Sequence, residues 1–166
     1  MSIIKANTFF RQQSFDGPII VLDNLLTPDN IGSTLRLAGN IGCKKVILTQ
    51  QLNNHLQLSQ NKIQKIARNS LQYLELLFLT YEEIVRQFDN LVAIETSSHA
   101  KNIYKSKLPL SSTFVVGNEK YGISTELLKH CKQQVYIPMP GNVKSLNVSH
   151  ALSIALFEWY RQNFEL

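Results

Sequence analysis

The residues best suited to chemistry in this 166-residue chain lie in three polar clusters that adjoin apolar runs. The first cluster contains Asn30 and Arg36 at the start of a predicted helix, with Gly32 between them to admit another backbone or a ligand. A guanidinium held near a ribose or a phosphate can bind it through two parallel hydrogen bonds. From spacing alone, Arg36 is equally suited to pairing with a structural carboxylate.

The second cluster is the loop from Gly117 to Gly122, which carries Glu119 directly after an apolar run. One interpretation is that this carboxylate orients Arg36 or binds a substrate. The other is that it is a solvated side chain in an ordinary turn. The pattern of residues is compatible with both.

The third cluster follows the apolar run that ends at Ile137. A stretch with two prolines and a glycine, residues 138–141, forces a non-helical path, and Ser145, Asn147 and Ser149 then precede or begin a predicted helix. Backbone N–H groups at a helix N-terminus bind anions such as phosphate. An ordinary N-cap needs only one such polar residue. The second and third loops can meet at the ends of neighbouring strands, where open α/β sheets bind their ligands.

The elements that must position these clusters alternate along the chain. Apolar runs predict six strands, at residues 18–23, 45–49, 73–79, 91–95, 113–117 and 134–137. Helical spacing predicts helices at about 31–41, at 59–69, from 80 onward, at 124–131 and at 147–162. Asn30 is expected to cap the first helix, Gly42 to end it, and the lysine-rich stretch 97–112 to be a mobile loop. The alternation indicates an α/β fold, a parallel sheet with helices on both faces.

Composition favours a soluble protein with a single domain over residues 1–166. The net charge of +5 and the pI near 9.3 suit a polyanionic partner such as RNA or DNA, although a basic protein without such a partner has the same charge. No apolar run approaches the roughly 18 residues of a membrane span, and the N-terminus has no signal-peptide pattern. Cys43 and Cys131 are far apart, and the four histidines show no ligand spacing. These features predict reduced thiols, no metal and a cytoplasmic location.

Several common α/β enzyme classes are unsupported by the sequence. No G-x-G-x-x-G follows the first predicted strand, which argues against a standard dinucleotide site. The chain has no Walker phosphate loop. No serine lies in a G-x-S-x-G nucleophile elbow.

Taken together, the three clusters resemble the three motifs of the SpoU/TrmH family of the SPOUT superfamily, which are RNA ribose 2′-O-methyltransferases. The resemblance runs from about residue 19 to residue 160. It implies a C-terminal segment threaded into a deep trefoil knot, a topology that general chain rules make very improbable. It also implies that the knot bends S-adenosylmethionine into a pocket built mainly by backbone groups.

The resemblance assigns roles to individual residues. The cofactor-binding positions that it implies are Thr96, Gly117, Ile137, Ser145 and Leu146. The catalytic positions that it implies are Arg36, Asn30, Glu119, Ser145 and Asn147. In the implied mechanism the ribose 2′-OH attacks the cofactor methyl carbon in line, and Arg36 stabilises the developing oxyanion without any metal.

The resemblance further implies a homodimer in which each active site borrows residues from both chains. RNA capture is then expected on the dimer surface. The basic residues expected there include Lys62, Lys65, Arg68, Lys101, Lys105 and Lys144. Two rival interpretations are a related enzyme that methylates a base nitrogen and a non-catalytic RNA-binding factor that keeps the fold. The complete set of motif residues favours ribose methylation of tRNA or rRNA.

Overall fold

The computed structural model describes residues 16–49 and 53–164, and within them the chain forms seven strands and five α-helices. The strands are β1 (Ile19–Leu22), β2 (Lys45–Thr49), β3 (Glu75–Leu79), β4 (Leu91–Ile94), β5 (Lys101–Asn102), β6 (Thr113–Val116) and β7 (Gln133–Tyr136). The α-helices are α1 (Pro28–Asn40), α2 (Asn53–Ala67), α3 (Tyr81–Gln87), α4 (Thr125–Leu128) and α5 (Val148–Asn163). Two 3₁₀ segments, Arg68–Tyr73 and Ile103–Lys105, complete the regular structure of these residues.

The seven strands form one parallel sheet in the order β3-β2-β1-β6-β4-β7-β5. The central strand β6 pairs with β1 and β4, so that Val115 lies opposite Val21 and Ala93. Because all strands run the same way, the segments that follow β1, β4, β6 and β7 emerge at one edge of the sheet. The predicted parallel α/β fold is confirmed, with one short edge strand, β5, that the sequence did not predict.

Alternating side chains of the strands supply two hydrophobic cores, one on each face of the sheet. Ile20 and Leu22 belong to the larger core, with apolar residues of α1, α2 and α5. Val21, between them, belongs to the smaller core with Ile84 of α3 and Leu127 of α4. The strands near the middle of this sheet, β1, β6 and β4, are almost entirely apolar because helices cover both of its faces, so that neither face contacts water.

Helices α3 and α5 begin at side-chain caps. Thr80 and Glu83 form a capping box at α3, where each side chain accepts from the other's backbone N–H. Asn147 caps α5 by accepting from the Ser149 N–H at 2.9 Å. The prediction that Asn30 caps the first helix is wrong, because α1 begins at Pro28, after Thr27, and Asn30 lies inside it. Proline suits this first position, since its missing N–H would have no helical partner there.

The C-terminal end of α1 agrees with the sequence. Gly42 follows the helix with a positive φ of 75°, a conformation that glycine adopts without steric cost. The Cys43 N–H donates to the Ala38 carbonyl at 2.9 Å, which closes the helix as a Schellman motif. The turn directs the chain from α1 into β2.

The prediction of a mobile loop over residues 97–112 is wrong for most of that stretch. It contains β5 and a 3₁₀ turn, and Ile103 and Leu108 are fully buried in the larger core. Side chains of α5 hold it from the other side, because Trp159 Nε1 donates to the Pro109 carbonyl at 2.9 Å and Gln162 bonds to two backbone groups. Its scattered lysines led to the prediction of a loop. In the structure, two buried apolar residues and the hydrogen bonds from α5 anchor the stretch.

Two further features concern the described part of the chain as a whole. None of its helices has both the length and the apolar character that crossing a membrane requires. Cys43 and Cys131 are free thiols, and burial raises the pKa of each to about 12, with the Asp23 carboxylate adding to the effect at Cys131. Both are therefore protonated at neutral pH and are weak nucleophiles.

We expect Gln162→Ala to lower the free energy of unfolding by about 1–3 kcal/mol, because it leaves two buried backbone groups without partners. Gln162 accepts from the Leu108 N–H at 2.9 Å and donates to the Ser106 carbonyl at 3.0 Å. Urea unfolding measures the change. Gln64→Ala, an exposed position on α2, is the matched control. Equal effects of the two substitutions would contradict the anchoring role.

Candidate functional site

A pocket of about 360 Å³ lies at the edge of the sheet where the strands end. Its wall is formed by the segments after β4, β6 and β7 and by the loop that precedes α5. All five predicted cofactor-binding residues line it, namely Thr96, Gly117, Ile137, Ser145 and Leu146. Glu119 and Asn147 line it as well. The pocket therefore brings together residues of the second and third motifs, together with Thr96 after β4.

Hydrogen bonds connect one residue of each motif beside this pocket. Asn147 Nδ2 donates to Asn30 Oδ1 at 2.9 Å, and Asn30 Nδ2 donates to Glu119 Oε1 at 2.8 Å. Asn30 is largely buried and therefore needs both partners. We call these three residues the amide relay. The middle residue must donate one hydrogen bond and accept the other. An asparagine side chain can do both, whereas an aspartate carboxylate only accepts.

Glu119 reaches the segment between β1 and α1 rather than Arg36. Its carboxylate accepts from the Thr27 N–H at 3.2 Å and from the Leu26 N–H at 3.4 Å, besides the bond from Asn30. Partial burial by itself would raise the pKa of Glu119, but these hydrogen bonds outweigh it and lower the pKa below its ordinary value. Glu119 is thus a carboxylate at neutral pH, held over the start of α1.

The loop that carries Glu119, residues 117–124, has little freedom; we call it the glutamate loop. Asn118 and Gly122 exchange two backbone hydrogen bonds, at 3.0 and 2.9 Å, and the Asn118 side chain donates to the Asn24 carbonyl at 2.8 Å. A Cβ on Gly117 would lie 2.1 Å from the Gly122 carbonyl carbon, so only glycine fits there. Gly122 has a φ of 72°, which also favours glycine. The two glycines of the second cluster are explained by this tight closure.

Two carboxylates that the sequence analysis missed hold the end of the glutamate loop. Glu95, just after β4, accepts from the Ile123 N–H at 3.1 Å, and Asp23, just after β1, accepts from the Ser124 N–H at 2.6 Å. Asp23 is completely buried and also accepts from the Tyr81 hydroxyl at 2.9 Å. Burial, together with the charge of Asp23, raises the pKa of Tyr81 and keeps this hydroxyl a donor. A carboxylate directly after a buried strand, the signal that identified Glu119, would have identified both.

Arg36 is the predicted site residue that the single chain does not bring to the pocket. It is exposed on α1, it does not line the cavity, and its guanidinium pairs with no acid in residues 16–49 and 53–164. Six residues separate it from Asn30, which at 3.6 residues per turn places the two on different faces of the helix. The structural ion pair that the sequence left open is therefore not formed within these residues.

Cationic side chains also border the pocket. Lys120 and Lys144 line it, and Lys144 Nζ donates to the Met139 carbonyl at 3.0 Å, which closes the loop before α5. Ser145 is exposed at the pocket wall. Among the residues described, no group of three or more His, Cys, Asp or Glu side chains could hold a metal ion. The groups that line the pocket are carboxylates, lysines and amides, with apolar side chains between them.

Known proteins are similar to this chain in sequence and in fold. The model of the SpoU rRNA Methylase family matches residues 17–157. The 23S rRNA (guanosine-2′-O-)-methyltransferase RlmB of Salmonella typhi is 32% identical over 145 residues, which are 87% of this chain and 60% of that protein. The chain therefore spans about 60% of the length of the curated relatives that it matches.

Two solved structures are similar along most of the chain. A TrmH/SpoU tRNA modifying enzyme of A. aeolicus has a TM-score of 0.75 and 26% identity, and the match covers 89% of this chain and 76% of that one. A structure described as giving insights into the 2-OH methylation of C/U34 on tRNA has a TM-score of 0.77 and 25% identity. That match covers 91% of this chain and 93% of the other.

The lowered pKa of Glu119 predicts how Glu119→Gln changes the pH dependence of stability. A carboxyl whose folded-state pKa lies below its unfolded value stabilises the fold above the unfolded pKa and loses this effect as the pH falls through the folded one. We therefore expect wild type to exceed Glu119→Gln in unfolding free energy at neutral pH. The difference should shrink once the pH falls below the ordinary value of 4.5.

Urea unfolding over this pH range measures the difference. Glu126→Gln is the matched control, since Glu126 is an exposed glutamate at the start of α4. If the difference in unfolding free energy between wild type and Glu119→Gln were the same at every pH, the charge of the Glu119 carboxylate would not contribute to the stability of the fold.

Proposed function

Because this chain belongs to the SpoU rRNA Methylase family, we propose that it transfers a methyl group from S-adenosylmethionine to a ribose 2′-hydroxyl of tRNA or rRNA. The observation that carries the proposal is the amide relay, which joins one residue of each motif beside a pocket lined by every predicted cofactor-binding residue. The names of similar proteins support the proposal. One is a 23S rRNA guanosine-2′-O-methyltransferase, and a similar solved structure is described as giving insights into the 2-OH methylation of C/U34 on tRNA.

The pocket suits S-adenosylmethionine in size and in chemistry. Its volume of about 360 Å³ lies within the range of roughly 300–1,000 Å³ usual for small-ligand sites. Ile137, Leu146 and Ala151 offer apolar surface to an adenine ring. Glu95 and Glu119 place carboxylates in the wall, where they favour a ligand that carries sulfonium and ammonium charges.

When bound, S-adenosylmethionine supplies an electrophilic methyl group that the substrate hydroxyl attacks in line. The chain's own residues orient that hydroxyl and stabilise the charge that develops on its oxygen. Ser145 and Asn147, which precede α5, are assigned to hold the ribose or its phosphate. Glu119 fixes Asn30, and Asn30 in turn fixes Asn147, so the relay keeps this binding edge in one conformation.

Arg36 stabilises the developing oxyanion. A guanidinium, with a pKa above about 12, is a poor base, so its contribution is position and positive charge rather than proton abstraction. The hydroxyl proton passes to solvent, and an RNA phosphate next to the reacting ribose helps to hold the Arg36 guanidinium in position.

Since Arg36 lies outside the pocket of its own chain, we propose a homodimer in which it completes the site of the other protomer. Its exposure and its lack of an acidic partner within residues 16–49 and 53–164 support this assignment. The exposed Phe157 on α5 is apolar surface of the kind that subunit interfaces cover.

The proposal extends to topology and location. Strands β6 and β7 lie between strands that precede them in the sequence, and α5 bonds to the segment 106–109. Both features support threading of the chain from Ile137 onward into the knot that the resemblance implies. A cytoplasmic location follows from the proposed RNA substrate and from two protonated, unpaired thiols.

The decisive experiment is methyl transfer from labelled S-adenosylmethionine to total tRNA and to rRNA in separate reactions, followed by digestion to nucleosides. A 2′-O-methylated nucleoside from either pool is the expected product and identifies the substrate class. A base-methylated nucleoside would overturn the role given to Arg36. Cofactor binding without transfer to either pool would favour the non-catalytic RNA-binding role.

We expect Arg36→Ala to lower methyl transfer by at least about 100-fold, because the variant loses a charge that acts in the transition state. Cofactor affinity, measured by calorimetry, should hardly change, since Arg36 does not line the pocket. Arg36→Lys keeps the positive charge but cannot form two parallel hydrogen bonds, so its rate of methyl transfer should lie between those of wild type and Arg36→Ala. Arg86→Ala, an exposed arginine in the last turn of α3, is the control. Parallel loss of cofactor binding and turnover would indicate a structural role instead.

Mixed dimers decide which protomer supplies Arg36. Ala151→Trp fills the pocket, so homodimers of this variant and of Arg36→Ala should each be inactive. Refolding the two together should restore part of the activity, because each mixed dimer pairs an intact pocket with an intact Arg36 of the partner subunit. If Arg36 serves its own pocket, every site in the mixed dimer carries a defect and the mixture stays inactive.

A further inference from the structure

Tyr121 is an exposed aromatic residue that belongs to neither hydrophobic core. Its side chain is 76% exposed, and its hydroxyl bonds to nothing in residues 16–49 and 53–164. We infer that Tyr121 is a stacking platform for an unpaired RNA base next to the methylated ribose. This inference rests on the proposed function and adds to it a residue that recognises the substrate.

The ring is presented from a rigid turn. Asn118 Oδ1 accepts from the Lys120 N–H at 2.9 Å and from the Tyr121 N–H at 3.1 Å. The paired backbone bonds between Asn118 and Gly122 close the turn around these two residues. Binding a partner on Tyr121 therefore costs little ordering of the backbone, which favours affinity.

The position of the turn places the ring at the rim of the pocket. Lys120 and Gly122, on either side of Tyr121, both line the cavity, whereas Tyr121 does not. Its ring therefore lies outside the cavity, next to the mouth. Glu119, two residues earlier, belongs to the amide relay and lines the same wall. A nucleotide whose ribose enters this site would have a base within reach of the ring.

The charge beside the ring selects the kind of partner. Lys120 Nζ lies 5.1 Å from the centre of the Tyr121 ring, and Lys144 lines the same pocket. An aromatic ring with the Lys120 ammonium group over it matches a base attached to a phosphate backbone. It matches an apolar protein surface poorly, because Lys120 would have to lose water there. Unpaired bases are accessible for such stacking, whereas bases inside a duplex already stack on each other.

The activity test compares Tyr121→Ala, Tyr121→Phe and Tyr73→Ala with the wild type. Stacking of one base is worth about 1–3 kcal/mol, so Tyr121→Ala should raise the KM for RNA about tenfold or more. Tyr121→Phe should stay near wild type, since the ring and not the hydroxyl makes the contact. Tyr73→Ala is the matched control, because Tyr73 is 70% exposed just before β3, at the opposite edge of the sheet. Cofactor affinity should be the same in all four proteins.

A binding test needs no turnover. The chain's one tryptophan, Trp159, is fully buried, so Tyr121→Trp adds a single exposed tryptophan to the molecule. Titration with single-stranded oligoadenylate should quench its fluorescence strongly, and a blunt RNA duplex should quench it much less. The same titration of Tyr73→Trp should leave the fluorescence nearly unchanged. Quenching decides the stacking inference even if wild-type protein methylates neither RNA pool.

Three outcomes would overturn the inference. The first is an unchanged KM for RNA in Tyr121→Ala, with no quenching in Tyr121→Trp, while wild type methylates RNA. The second is an equal defect in Tyr121→Phe and Tyr121→Ala, which would assign the contact to the hydroxyl. The third is conversion of a dimer to monomers by Tyr121→Ala in light scattering, which would make the ring part of a subunit interface.

Discussion

The bonds from Asn147 through Asn30 to Glu119 are the interaction on which the candidate site depends. They join the first helix, the loop after the central strand and the start of the last helix, which the sequence separates by up to 117 positions. Only a side chain that donates and accepts at once can occupy the middle position. Because Asn30 is buried, either bond alone would leave a polar atom without a partner, which costs more than an average hydrogen bond contributes.

The order of strands makes this interaction possible. The central strand β6 lies between β1 and β4, so the glutamate loop emerges beside the ends of both. The carboxylates of Asp23 and Glu95, at those two ends, accept from consecutive amides of the loop. A buried aspartate is normally costly, and here three donors satisfy it, namely the Ser124 N–H, the Tyr81 hydroxyl and the Asn24 side chain. The glutamate loop is thus clamped at its C-terminal end, which restricts the shape of the pocket wall.

In the proposed function, one protomer supplies only part of the reaction centre. The pocket and the amide relay are assigned to the cofactor and the ribose, whereas Arg36, the motif residue assigned to stabilising the oxyanion, is exposed on another face of α1. The proposal thus separates binding from charge stabilisation. It also explains why Asn30 and Arg36, which are close in sequence, serve different purposes. Asn30 is buried and holds Glu119 and Asn147 of the pocket wall, whereas Arg36 is exposed to solvent.

The sequence by itself determined the α/β fold class and the order of six of the seven strands, because apolar runs, glycines at tight turns and polar loop residues are local signals. The five residues predicted to bind the cofactor line one pocket. Local signals misplaced the start of α1 and described residues 97–112 as a loop, since anchoring by Trp159 and Gln162 comes from a distant helix. Only the tertiary structure decided which polar groups meet. It bonded Glu119 to Asn30 instead of Arg36, and it gave Asp23 and Glu95 their roles, because strand order, which no local pattern encodes, sets which loop ends are neighbours.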